Sequence, residues 1–263
     1  MDDRITLTIH TCEKFSDIWD VSIGLLNKNW NDRNMNTILV TDDESSRSFQ
    51  NVQLFCAGKG LDMPERTKKL LSTINTEYIF FTLDDYFLVD KIDSNRINKL
   101  LDIMDKNKID YLSFKNHHTT RKVIDSDEKI YELDLNSGED YIVNLYPGIW
   151  RTSFMKKTLE EKKDIWDYEV SLTKYAIEQN SVCCTSKGNQ FPILDGVRKG
   201  KFLHKSYSFL KKNNLYDGDR AIISYLTEIK LFMMDQLKIY LPKPIVIKIK
   251  KIMRKFGYKF FSE

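Results

Sequence analysis

Five short runs rich in β-branched and aromatic residues punctuate the first 115 positions, and helical spacing fills three of the four gaps between them. The runs are ITLTI (residues 5–9), NTILV (36–40), VQLFC (52–56), YIFFT (78–82) and IDYLSF (109–114), each with the composition of a strand. Between the first two, Phe15, Ile18, Trp19, Ile23, Leu26 and Trp30 recur every three or four positions, the period of a helix with one apolar face. Leu70, Leu71 and Ile74 supply a second such face behind Pro64. Proline suits a first helical turn because its missing N–H would be unpaired there anyway. Ile97, Leu100, Leu101 and Met104 supply a third face. Strands joined by helices of this length predict an α/β fold, with a mostly parallel central sheet and helices on both faces. In such sheets ligands bind where the carboxyl ends of the strands meet.

Beyond residue 115 the pattern loosens. KNHHTTRKVIDSDEK (115–129) is polar and reads as a loop or an excursion from the sheet, residues 130–135 as a short strand, and NLYPGIW (144–150) as containing a turn. Helical spacing returns at Phe154 and Leu159, then at Trp166, Val170, Thr173 and Ile177, and again over residues 219–241. At 263 residues and 41% hydrophobic, with 15 Phe, 13 Tyr and 4 Trp, the chain can bury a sizeable core. A net charge of +3, from 41 Lys and Arg against 38 Asp and Glu, makes no case for nucleic acid, and no such partner is expected. Four Cys without zinc-site spacing to any His read as free thiols in a reducing compartment. The opening MDDRITLTIHT lacks the pattern of a secretory leader. No uncharged run approaches the roughly 20 residues of a spanning helix. The expected location is the cytoplasm, or the inner face of a membrane.

The fourth run ends in an acidic pair: EYIFFTLDDYFLVD carries Asp84 and Asp85 between two hydrophobic stretches. Two adjacent carboxylates at a strand end repel each other and call for a counter-charge. A hard divalent ion such as Mg²⁺ or Mn²⁺ would supply it and would also hold a substrate diphosphate. An acidic turn is the structural alternative. Adjacent residues of an extended segment point to opposite faces, so one acid would meet the ion while the other holds nucleotide or sugar. Asp42 and Asp43 end the second run in the same way, beside His10 and Thr11 at the end of the first. Such groups can hydrogen-bond a base or ribose, or can serve as a helix cap or turn. Arg66, early in the helix before the fourth run, is placed to reach a phosphate, or to join Lys68 and Lys69 on a solvated face.

These pieces together resemble a GT-A glycosyltransferase of the family 2-like type found in bacterial polysaccharide assembly. The residues that carry the resemblance are 5–11, 38–43, Arg66, TEYIFFTLDDYFLVD, YPGIWRTSFMKKTLEE, WDYE and GVRKGKF, spread over residues 4–205. LDDY stands where that family has an Asp-x-Asp signature; here no residue separates the two acids, and Asp85 matches the second, metal-contacting one. The resemblance implies a catalytic domain over residues 1–205 and a nucleotide-sugar donor, with UDP the expected nucleotide. It also implies transfer to a hydroxyl of a glycan or a polyprenyl-diphosphate-linked acceptor.

An inverting transfer needs a carboxylate to take the acceptor's proton and positive charge beside the leaving diphosphate. WDYE offers Asp167 and Glu169 as the base. On a helix they lie about 200° apart, whereas an extended backbone ahead of the helix puts them on one side. The resemblance leans to Asp167; otherwise Asp167 is a helix cap and Glu169 a favourable first-turn acid. Lys201, with Arg198 and Lys199, is a candidate to neutralise the diphosphate, and His204 to approach the diphosphate or the metal; a solvated basic loop is the alternative. Residues 206–263 form a helical extension. Its tail, LPKPIVIKIKKIMRKFGYKFF, holds seven Lys or Arg and no acid before Glu263. Ile245, Ile249, Ile252, Met253 and Phe256 at helical spacing make residues 242–263 a candidate interfacial helix on an anionic membrane. Two non-enzymatic readings remain open: a nucleotide- or glycan-binding protein without chemistry, and a basic-tailed membrane adaptor with an inert α/β domain.

Overall fold

The computed structural model describes residues 3–139, 141–160 and 164–240, with side chains as far as residue 233. The tail over residues 242–263 lies outside the described residues. The five expected strands and three expected helices all form. They are β1 (Ile5–His10), α1 (Trp19–Asn29), β2 (Asn36–Thr41), β3 (Gln53–Cys56), α2 (Met63–Leu71), β4 (Tyr78–Leu83), α3 (Ser94–Lys106) and β6 (Tyr111–Ser113); β5 (Tyr86–Leu88) falls between β4 and α3. There follow β7 (Thr120–Asp125), β8 (Ile130–Leu133), β9 (Gly148–Arg151), α4 (Thr152–Thr158), α5 (Ile165–Glu178), β10 (Cys183–Ser186), β11 (Ile193–Asp195), β12 (Val197–Arg198), β13 (Lys201–Phe202), α6 (His204–Lys212) and α7 (Tyr225–Tyr240).

Nine strands make one sheet in the order β3-β2-β1-β4-β9-β6-β10-β8-β7. Among its described strands only β8 and β9 run against the others. This is the mixed α/β architecture expected from the sequence. β4 shows why its run is hydrophobic at every position. Tyr78 and Phe80 pack on one face with Trp30, which caps the end of α1, and with Leu100 and Met104 from α3. Ile79 and Phe81 pack on the other with Met63, Leu70, Phe154 and Leu172 from α2, α4 and α5. A strand covered on both faces needs apolar side chains in both phases of its pleat. Truncating the fully buried Phe80 to Ala would cost about 3–5 kcal/mol.

The register sets the rim. His10 pairs with Val40 of β2 and with Leu83 of β4, so β1, β2 and β4 end level. α2 begins where Pro64 placed it, behind a reciprocal cap in which the Asp62 side chain accepts from the Glu65 N–H and the Glu65 side chain accepts from the Asp62 N–H.

Two expectations need correction. NLYPGIW is not merely a turn: Gly148–Arg151 is β9, inserted antiparallel between β4 and β6, and its Trp150 is fully buried against Tyr111 and Phe154. The polar run after residue 115 is not a loop throughout, because β7 pairs with β8 as a hairpin at the sheet's edge. An edge strand with one open face carries polar residues without penalty. The chain after the acidic pair turns back into the core: Phe87 and Leu88 are buried, in β5, which pairs with β11 in a separate two-stranded ribbon. Phe87 of that ribbon packs with Val197, Phe202, Leu210 and Tyr216 against Ile18, Val21 and Leu25.

Candidate active site

The level strand ends are tied together by backbone bonds beyond the strands. Thr11 N–H donates to Val40 O (2.9 Å), Asp84 N–H to His10 O (3.2 Å) and Ala57 N–H to Thr41 O (2.9 Å). Thr11, Asp42 and Asp84 are thereby brought to one rim, as the sequence suggested, and Asp85 follows in the tight turn before β5.

The two acids of the pair have different surroundings. Asp84 is 5% exposed, and its Oδ2 accepts a short hydrogen bond from the Thr11 hydroxyl, which itself accepts from Trp19 Nε1 at 2.7 Å. Thr11 is therefore at the rim with its hydroxyl already engaged. Burial pushes the Asp84 carboxyl up to about 7, against the pull of the Thr11 hydroxyl, backbone N–H groups and the Arg220 charge. Asp85 has a buried Oδ1 with no hydrogen-bond partner. Burial, then the Asp84 and Asp195 carboxylates, hold its carboxyl well above the usual range. A buried acceptor left unpaired costs about 1–3 kcal/mol, and here it sits among like charges. The main chain at this point is locked: Asp85 O accepts from Gly196 N–H at 2.7 Å. A Cβ at Gly196 would lie 2.6 Å from that same oxygen and 2.6 Å from the Phe87 ring, so the close approach requires glycine.

Around the acids stand three arginines. Arg198 donates from Nε to Asp195 Oδ2 at 2.9 Å, and its charge favours the ionised form of Asp85. Arg220 donates from Nε to Asp17 Oδ2 at 2.8 Å, with Tyr216 Oη donating to the same atom at 2.9 Å. Arg66 lies across the rim, 3.9 Å from Asp42 Oδ2. Its Nη1 donates to Leu61 O at 3.0 Å, while its buried Nε has no partner. Asp42 Oδ1 accepts from Glu13 N–H at 2.7 Å. Beneath them His10 is stacked on Phe81 at 4.5 Å, with Thr8 Oγ1 3.2 Å and Thr67 Oγ1 3.3 Å from its ring nitrogens. Burial and then Arg66 hold its pKa down to about 3, so it is a neutral packing residue.

The second pair of acids is placed differently from expectation. The cap of α5 is Asp164, whose Oδ1 accepts from the N–H groups of Trp166 and Asp167, each at 2.9 Å. Asp167 and Glu169 therefore both lie inside the helix, about 200° apart, rather than on one extended face. Asp167 is exposed. Glu169 turns inward, and its Oε1 accepts from Leu145 N–H at 3.3 Å. That loop carries Tyr146, packed edge-on against Tyr86 at 5.0 Å, one residue from Asp85.

Lys201 is exposed on the β12–β13 hairpin. His204 opens α6, where its Nδ1 meets the Glu228 carboxylate and its ring stacks on Tyr225 at 3.6 Å. Its ring is thus engaged with α7. No group of three or more His, Cys, Asp or Glu side chains is gathered as a metal cage among the described residues. Sequence reasoning gave no role to Asp195, Arg220, Tyr146 or Asp164. Only the Asp195-Gly196 dipeptide offered a local signal, as a turn with a residue that admits close approach.

No protein-family model matches this chain, and no curated protein matches it. Among solved structures, residues 1–349 of S. aureus TarS are similar to it, with 17% identity over 69% of this chain and 57% of that one, at a TM-score of 0.47. The same fragment in complex with UDP-GlcNAc shares 18% identity over 69% of this chain and 55% of that one, at 0.45. A cytidylyltransferase from Leptospira borgpetersenii serovar Hardjo-bovis shares 13% identity over 91% and 98%, at 0.46. The chain thus spans less than two thirds of the TarS fragments it is similar to.

Proposed function

We propose that this protein is a nucleotide-sugar-dependent glycosyltransferase, moving a sugar from a UDP-linked donor to a hydroxyl of a glycan or lipid-linked acceptor with inversion. The observation that carries the reading is the buried, unpartnered Oδ1 of Asp85, set beside Asp84 and Asp195 at the level ends of β1, β2 and β4. Strained acid clusters at such a rim are a recurrent mark of a binding site.

In this reading the nucleoside lies along the ends of β1 and β2, against Thr11 and Asp42. The diphosphate takes the unspent Nε donor of Arg66, with Arg198 and Lys201 adding positive charge. The donor set fits Mg²⁺ or Mn²⁺ in the manner of nucleotide sites, held by one or two carboxylates and completed by substrate phosphates. Asp85 is its principal holder, with His204 the second candidate. Bound there, the ion would neutralise the diphosphate. Asp84, fixed by Thr11, orients its neighbour and the donor sugar. Glu169 is the acid turned toward the rim loop and takes the base role; Asp167 is the alternative.

Titration calorimetry with UDP, with and without Mn²⁺, tests the reading. Binding that Mn²⁺ strengthens in the wild type, and that D85N weakens, is expected. No UDP binding in either condition overturns it. The adjacency of the two acids favours one second reading, a nucleotide-binding protein without turnover. UDP binding without release of UDP from any UDP-sugar in the presence of acceptors would select it.

A further inference from the structure

Away from the rim, a cleft of about 410 Å³ opens at the amino ends of β1, β2 and β3, beside the turn that follows α2. Its floor is apolar. Ile5, Ile38 and Ile74 are buried there, and the half-buried Phe55 packs on the cluster that holds Ile38 and Ile74. Around this floor the lining carries the side-chain amides of Asn36, Gln53 and Asn75. Gln53 and Asn75 are exposed and Asn36 is half-buried, so their donors and acceptors are within reach of a ligand. The frame beneath them is fixed: the Thr6 and Thr76 hydroxyls bond each other at 2.9 Å, and Thr76 donates to Tyr78 O at 3.0 Å. A site already formed spares a ligand the cost of ordering it.

The lining chemistry selects the class of ligand. Asp3 is the single charged residue among the described residues that line the cleft; with no Lys, Arg or His there, nothing favours a phosphate or a carboxylate. A carboxamide offers an acceptor beside two donors, which matches a pair of neighbouring hydroxyls that each donate and accept. The C–H face of a sugar ring is apolar and suits Phe55 and the isoleucine floor. A volume of this size falls in the range of small-molecule sites. We propose that the cleft is a binding site for a neutral mono- or disaccharide, separate from the acidic rim. β1 runs from Ile5 at the cleft to His10 at the rim, roughly 17 Å at about 3.3 Å per residue. A sugar held here is therefore out of reach of Asp84 and Asp85, and the cleft retains a glycan without reacting it. The inference does not depend on the sugar-transfer reading.

The test is saturation-transfer NMR on the full chain with maltose, cellobiose and N,N′-diacetylchitobiose, each at about 5 mM, enough to populate a site of millimolar Kd. At least one disaccharide should receive saturation and keep it when UDP and Mn²⁺ are added. The double variant Q53A/N75A, at two exposed positions, should bind that disaccharide at least about tenfold more weakly while keeping wild-type circular dichroism and UDP affinity. Absence of signal from all three disaccharides with the wild type overturns the proposal, as does unchanged binding by Q53A/N75A. Displacement of the sugar by UDP also overturns it, by assigning the sugar to the rim. Binding of glucose 6-phosphate or uridine that Q53A/N75A removes, without disaccharide binding, gives the cleft to another class of ligand and refutes this one. Failure of the protein to bind UDP touches the rim reading alone.

Discussion

Asp84→Asn should make the metal-free protein more stable at neutral pH and leave it unchanged or weaker in acid. Burial raises the Asp84 carboxyl to about 7, against about 3.9 in an unfolded chain. Below about pH 4 the group is protonated in both states and carries no penalty. As pH rises toward 7 the unfolded chain gives up its proton first, so folding loses ground; above about pH 7 the full penalty is present. Three units at about 1.4 kcal/mol each set a ceiling of about 4 kcal/mol. Asn has no proton to release and escapes this penalty. It does forfeit the charge-assisted bonds that the carboxylate receives from the N–H groups of residues 84 and 85, worth about 1–2 kcal/mol. The net gain near pH 8 is about 2–3 kcal/mol, or roughly 4–12 °C in Tm for a chain of this size. Thermal unfolding followed by near-ultraviolet circular dichroism, with chelator present and pH stepped from about 4 to about 8, measures it. The difference between variant and wild type should grow with pH and vanish or reverse near pH 4. A difference that stays flat with pH, or a wild type more stable than D84N near pH 8, would show that Asp84 is not held as a buried acid.

Three further outcomes follow from the rim. Gly196→Ala forces a methyl group to within 2.6 Å of Asp85 O and the Phe87 ring and should destabilise by about 2–4 kcal/mol; an unaltered Tm would refute the close approach. Arg66→Met should weaken UDP binding roughly 10- to 100-fold in calorimetry, because it removes the unspent Nε donor; unchanged affinity would place the diphosphate elsewhere. Glu169→Gln should lower kcat about 100-fold or more with UDP affinity retained, while Asp167→Asn stays near wild type; the reverse ranking returns the base to Asp167.

Much of the scaffold was legible because its causes are local. β-branched and aromatic runs mark strands, three- and four-residue spacing marks α1, α2 and α3, and Pro64 marks where α2 begins. β9 escaped notice because its Pro147-Gly148 start has turn chemistry and its pairing with β4 and β6 spans dozens of residues. The start of α5 was misplaced by three residues: Asp164 and Asp167 are equally good caps in isolation, and the backbone selected Asp164.

By itself the sequence determined an α/β sheet whose strand ends would carry Thr11, Asp42, Asp84 and Asp85, with Arg66 one helix away. Those placements depend only on where each apolar run stops. Tertiary structure alone decided the character of the site. It brought Asp195 and Arg198 from β11 and β12 to Asp85, and Arg220 from about 200 positions away to Asp17, where its charge acts on Asp84. It also gave Thr11 to Asp84 and no partner to the buried oxygen of Asp85. Burial and charge proximity are properties of packing between distant segments, so two chemically identical neighbours in the chain became one anchored acid and one with a buried oxygen left unpaired.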